Sequence, residues 1–140
     1  MHLTKELIAR TFKTFPEPSA EDRAAMPLLT PDEIAASRLA FLDGIRPNED
    51  VWLFAYGSLM WRPEMEFAEQ RNARLLGWHR RFCIWQWRWR GTKAKPGLMM
   101  ALDRGGSCIG IAYRISAPAV SSKLAKVWER EMIGKAYQPR

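Results

Sequence analysis

Apolar and polar positions change their rhythm midway along the chain. Before residue 50 the apolar residues recur at helical spacing. Thr30-Pro31-Asp32-Glu33 supplies an N-cap, a proline at the first helical position and a glutamate three residues after the cap. Ile34, Arg38, Leu39 and Leu42 follow at that spacing, which predicts a helix over 31–43. A weaker pattern predicts another over Thr4–Lys13, and Phe15-Pro16-Glu17-Pro18-Ser19 is a linker. From Val51 onward strands take over. Val51-Trp52-Leu53-Phe54-Ala55 is a continuous apolar run of the kind a strand buried on both faces needs. It stops at Tyr56-Gly57-Ser58-Leu59. Residues 73–78 predict a short strand. Arg80–Arg90 alternates, with Cys83, Trp85, Trp87 and Trp89 on one face, expected to be core. Residues 97–102 and 108–115 predict a hairpin joined by the turn Asp103-Arg104-Gly105-Gly106-Ser107. Ala119–Ile133 predicts a last helix, capped by Gly134. Short-linked strands with one late helix imply an α+β fold built on a small barrel.

That last helix carries an acid where an apolar residue is expected. At roughly 100° per residue, with Leu124 at zero, Val127 lies near 300°, Trp128 near 40° and Met132 near 80°. Glu131 lies near 340°, inside the apolar stripe, whereas Glu129 lies near 140°, at its edge. Lys123, Lys126 and Arg130 fall on the opposite face, expected to be solvated. A buried Glu131 has its pKa raised unless a cation offsets the burial. Two roles follow: a buried ion pair, for instance with Arg114, or a group that takes up and returns a proton. The Tyr56–Leu59 turn is similarly two-sided. It either ends a strand or offers backbone N–H groups to an anion.

Composition narrows the setting. The 140 residues are 47% hydrophobic, enough for one domain with a real core. No apolar stretch is long enough to cross a bilayer, and MHLTKELIARTF does not look like a signal peptide. Cys83 and Cys108 are too few for a disulfide framework and are expected to be reduced core residues of a cytoplasmic protein. The net charge of +7 is uneven: residues 1–50 hold 6 Lys/Arg and 9 Asp/Glu, residues 51–140 hold 16 and 6, with all seven tryptophans. This break divides the chain into a helical N-terminal extension, 1–50, and a functional body, 51–140. His2, His79, Cys83 and Cys108 show no metal-ligand spacing. Gly105-Gly106-Ser107-Cys108 fails the nucleophile-elbow pattern because Ile109 stands where a glycine should be.

Four ordered blocks resemble the ChaC-type γ-glutamylcyclotransferases: FAYGSLMW (54–61), RRFCIWQWRWRG (80–91), KPGLMMALDRGGSCIGIAYRI (95–115) and WEREMIGKAY (128–137). The resemblance implies a small mixed β-barrel flanked by helices. It also implies cleavage of a γ-glutamyl peptide, glutathione above all, to 5-oxoproline and cysteinylglycine. The family's glutamate maps onto Glu131, and its substrate-binding loop onto Tyr56, Gly57, Ser58 and Leu59. No metal or cofactor is implied. Family members continue past the residues matching Tyr137 with strands that complete the barrel. The barrel is therefore expected to be incomplete at the C-terminus, and its open edges to favour self-association.

Two other functions compete. WHRRFCIWQWRWRGTKAK (78–95) holds six Lys/Arg among aromatics and no acid, the composition of a single-stranded nucleic-acid module. The alternation that puts its tryptophans on a core face argues against that partner. The other alternative is a catalytically inactive regulatory fragment.

Overall fold

The computed structural model describes residues 19–21 and 28–139, and the side chains of 88–90 lie outside that description. The helix expected over Thr4–Lys13 and nearly all of the linker at 15–19 also lie outside the described residues.

Helix α1 spans Pro31–Asp43 and begins as its capping box dictates. The Thr30 N–H donates to Glu33 Oε2 at 2.8 Å and the Glu33 N–H donates to Thr30 Oγ1 at 3.2 Å. Ile34, Phe41 and Leu42 pack against the core, so α1 shares that core rather than standing apart from it. Strand β1 is Val51–Ala55, and a 3₁₀ turn follows at Ser58–Met60. Strands β2 (Glu69–Gly91) and β3 (Pro96–Ile115) form one long antiparallel hairpin. A second 3₁₀ turn, Ala117–Ala119, leads into helix α2, Val120–Glu131. The sheet order is β1-β3-β2 and every pairing is antiparallel.

This sheet corrects the expected mixed barrel. It is α+β, but with three strands it does not close. β3 is central, and the outer edges of β1 and β2 have no strand partner among the described residues.

The expected turn at Asp103–Ser107 is also corrected. The strand runs straight through it, and register slips between Leu76 and Trp78, which face Ser107 and Arg104. Gly77, Gly105 and Gly106 all have positive φ, so both strands kink at one level and the ladder resumes beyond. The true turn lies at 92–95, where the Thr92 N–H donates to Lys95 O at 2.9 Å.

A second register shift, between Phe82 and Ile84, corrects the tryptophan face. Because Cys83 is the extra residue, alternation fails to keep one set of side chains on one side. Cys83 is exposed and Trp85 is 60% exposed, whereas Cys108 is buried as expected.

The core gathers at the other end of the hairpin. Ala55, Tyr113, Ile115, Val120, Leu124, Val127 and Trp128 form its buried centre. The Trp128 indole N–H donates to Ser37 Oγ at 3.0 Å, and its ring centroid lies 5.0 Å from that of Phe41, tying α2 to α1. Arg114 does not meet Glu131. Its guanidinium instead binds Asp50 at 2.6 Å and Glu69 at 3.1 Å, joining the approaches to β1 and β2.

α2 ends two residues earlier than its sequence suggests. The Leu29 N–H donates to Ile133 O at 2.9 Å, and Gly134 bridges to Leu28, so 133–134 leaves the helix for extended pairing.

Candidate functional site

Three segments converge where β1 ends. Ala55 closes the β1–β3 ladder opposite Ile111. Gly110 lies so near that an added Cβ would stand 2.3 Å from Ala55 O and 2.7 Å from the Phe54 ring. The chain then turns through Tyr56 and Gly57 into the 3₁₀ turn.

The carbonyls of this turn are taken from several sides. Arg80 Nε donates to Tyr56 O at 2.8 Å. The Met60 N–H donates to Gly57 O at 2.9 Å. The hydroxyl of Tyr113, only 1% exposed, lies 3.1 Å from both Leu59 O and Met60 O. Within the turn, the N–H groups of Met60, Trp61 and Arg62 are used, to Gly57 O and Ser58 O. Those of Ser58 and Leu59 open the turn and have no acceptor inside it.

Glu131 ends α2 and faces this turn across a cavity of about 340 Å³. Tyr56, Gly57, Ser58 and Leu59 line the same cavity, so all five residues singled out in the sequence come together. Trp61, Phe82, Met99 and Tyr137 complete much of an apolar wall.

Burial pushes the Glu131 carboxyl above the usual carboxylate range; Arg130 partly offsets this and Glu64 adds to it. Burial likewise raises the Tyr56 phenol. The Tyr137 hydroxyl hydrogen-bonded to it, then Glu131 and Cys83, push the same way. Tyr56 is therefore protonated at neutral pH.

Arg130 overturns an expectation. It was placed on the solvated face, yet its side chain is only 22% exposed, less than the 27% of Glu131. It reaches Ser58 Oγ at 2.9 Å, Arg62 O at 2.7 Å and Glu131 Oε1 at 3.1 Å. Tyr137 was also missed, although it lies within the WEREMIGKAY block. A single-helix projection cannot show a residue that packs after the helix ends.

Among the described residues, no group of three or more His, Cys, Asp or Glu could hold a metal ion. Exposure of Trp85 removes the core-face argument against nucleic acid. What now weighs against that partner is that Arg81 is bound by Asp103 at 2.7 Å, and Arg80 by the carbonyls of Tyr56 and Ile109.

A family model described as ChaC-like protein matches residues 51–140. The chain belongs to the ChaC-like family. The match covers both sides of the cavity, the turn and the helix. The glutathione-specific γ-glutamylcyclotransferase of Escherichia coli (strain K12) is 45% identical over 113 residues, covering 80% of this chain and 49% of that protein. The glutathione-specific γ-glutamylcyclotransferase 1 of Homo sapiens is 33% identical over 92 residues, covering 64% and 41%. The crystal structure of a yeast γ-glutamyl cyclotransferase specific to glutathione shares the fold, with a TM-score of 0.53 and 22% identity over 61% of this chain and 49% of that one. The ChaC-like chain thus spans about half the length of the curated relatives it matches.

Proposed function

We propose that residues 51–140 carry the reacting centre of a γ-glutamylcyclotransferase that releases 5-oxoproline and cysteinylglycine from glutathione. The observation that carries this reading is one cavity lined by both the Tyr56–Leu59 turn and Glu131. The names of the relatives support glutathione as the substrate. Two unpaired cysteines agree with a cytoplasmic setting. Residues 1–50 are proposed as an extension, of which α1 braces the helix that bears Glu131.

In this mechanism the Ser58 and Leu59 N–H groups hold the α-carboxylate of the γ-glutamyl group. Glu131, as carboxylate, accepts a proton from the α-ammonium. The freed amine attacks its own γ-carbonyl carbon, the new C–N bond closes a five-membered ring, and the old amide bond breaks. The protonated Glu131 gives its proton to the departing amine, and the carboxylate so restored takes the second proton from the ring nitrogen and passes it to the released amine. A base with a raised pKa suits both transfers, because it accepts and releases a proton near neutrality. Since the reacting atoms belong to one molecule, holding them in place supplies much of the rate. The protonated Tyr56 phenol can donate a hydrogen bond to the oxygen of the attacked carbonyl.

Incubation with glutathione should release 5-oxoproline, detected by mass spectrometry. Glu131→Gln keeps the shape but removes the base, so its turnover should fall at least about 100-fold. Undiminished release by Glu131→Gln would sink the mechanism.

A further inference from the structure

Arg130 takes no part in the proton transfers, yet its guanidinium reaches three segments at once. Nη2 donates to Ser58 Oγ at 2.9 Å and Nη1 donates to Arg62 O at 2.7 Å. Nη1 lies 3.3 Å from Glu64 Oε1, and Nε lies 3.1 Å from Glu131 Oε1. A guanidinium holds its donors in a rigid planar fork, so this set of partners fixes one orientation. A lysine ammonium carries the same charge but cannot span that set.

We propose that Arg130 is a positioning residue that ties the substrate-holding turn at Ser58 to the Glu131 carboxylate and so sets the gap between them. The inference rests on the cyclisation reading, in which that gap must match a γ-glutamyl group with its carboxylate at one end and its ammonium at the other. The groups that bear on Glu131 are Arg130 on its own helix, Glu64 from the segment after the turn, itself paired with Arg62, and the Tyr56 hydroxyl, which the Tyr137 hydroxyl meets across the same cavity. Removing Arg130 takes away the cation that offsets the burial of Glu131 and leaves Arg62, paired with Glu64, as the nearby cation, so the Glu131 carboxyl must titrate at higher pH. The turn also loses its anchor to α2.

The test compares the wild-type chain with Arg130→Gln and Arg130→Lys by three readouts. These are titration of the Glu131 carboxyl by ¹³C NMR, assigned with Glu131→Gln, amide hydrogen exchange at 57–62, and the pH profile of glutathione turnover. Arg130→Gln should move the titration upward, speed exchange in the turn at least about 10-fold, and lower kcat about 100-fold, the cost of a small misplacement. Arg130→Lys should restore the titration but not kcat, because charge returns without the fork. Should Arg130→Gln fail to fold, Arg130→Lys decides through exchange and kcat. Unchanged titration and exchange in Arg130→Gln, or wild-type kcat in Arg130→Lys, would overturn the proposal. A wild-type chain that forms no 5-oxoproline, with both Arg130→Gln shifts present, refutes cyclisation and leaves the tether standing.

Discussion

Gly110→Ala tests how tightly the turn is held in place. The added methyl would sit 2.3 Å from Ala55 O, 2.7 Å from Phe54 Cζ and 3.0 Å from Phe54 Cε2. Those gaps are about 1 Å short of ordinary van der Waals contact. A ring can rotate away, but Ala55 O belongs to backbone already paired with β3 at Ile111. Relief therefore moves the end of β1 and carries Tyr56 with it. Overpacking of this kind costs about 1–3 kcal/mol. Loss of the last ladder rung adds about 1 kcal/mol. The stiffer unfolded chain of an alanine returns about 0.4–1 kcal/mol. The clash outweighs that gain, for a net loss of about 2 kcal/mol and a fall in Tm of roughly 6–10 °C for a domain of this size. Urea and thermal unfolding measure the loss, and glutathione turnover reports the displaced turn. A Tm within about 2 °C of wild type would refute the close-approach argument.

Three other outcomes are expected. At Gly57 an added Cβ meets no atom within 4 Å. Gly57→Ala should therefore change stability less than Gly110→Ala while lowering kcat/KM for glutathione; unaltered kcat/KM would show that substrate does not approach there. Glu131 has its folded pKa raised, chiefly by burial. Its contribution to stability is fully present below the unfolded pKa and is lost as pH rises through the folded value. Glu131→Gln should accordingly gain stability over wild type as urea titrations move from acid toward neutral pH, and a pH-independent difference would contradict the assigned burial. The outer edges of β1 and β2 should make the chain associate as its concentration rises, followed by light scattering. A monodisperse monomer at every concentration would count against this.

Much of the site was legible because its signals are local. The capping box needs four consecutive residues, and the strand ending in Tyr56-Gly57 is marked by the stop of an apolar run. Glu131 was visible because one helix suffices to show an acid in an apolar stripe. The long hairpin was not legible at Asp103–Ser107, since two adjacent glycines serve a turn or a bulge equally well. Gly77, across the ladder, decides between them, and that pairing is a tertiary fact. Cys83 was misplaced for a related reason: one extra residue in a bulge reverses every side chain after it.

Arg130 and Tyr113 were illegible for a different reason. A helical projection sorts residues by angle but does not know that the segment 58–64 packs against the face called solvated. Tyr113 fills a core position, and its hydroxyl, reaching Leu59 O and Met60 O, links it to the turn. With Arg80 on Tyr56 O, donors from β2 and β3 brace the turn by the carbonyls at its two ends. The Ser58 and Leu59 N–H groups share peptide planes with the Gly57 and Ser58 carbonyls, which the Met60, Trp61 and Arg62 N–H groups hold from within. A plane whose carbonyl is held on one side directs its N–H to the other. The lip of the cavity is thereby biased toward a negative guest, while Glu131 opposite favours a positive one. In the proposed cyclisation the free end of a γ-glutamyl group, with its α-carboxylate and α-ammonium on one carbon, would meet both. Neither half alone selects that end. A simple carboxylate would meet repulsion from Glu131, and a simple amine would leave the turn's N–H groups unmet.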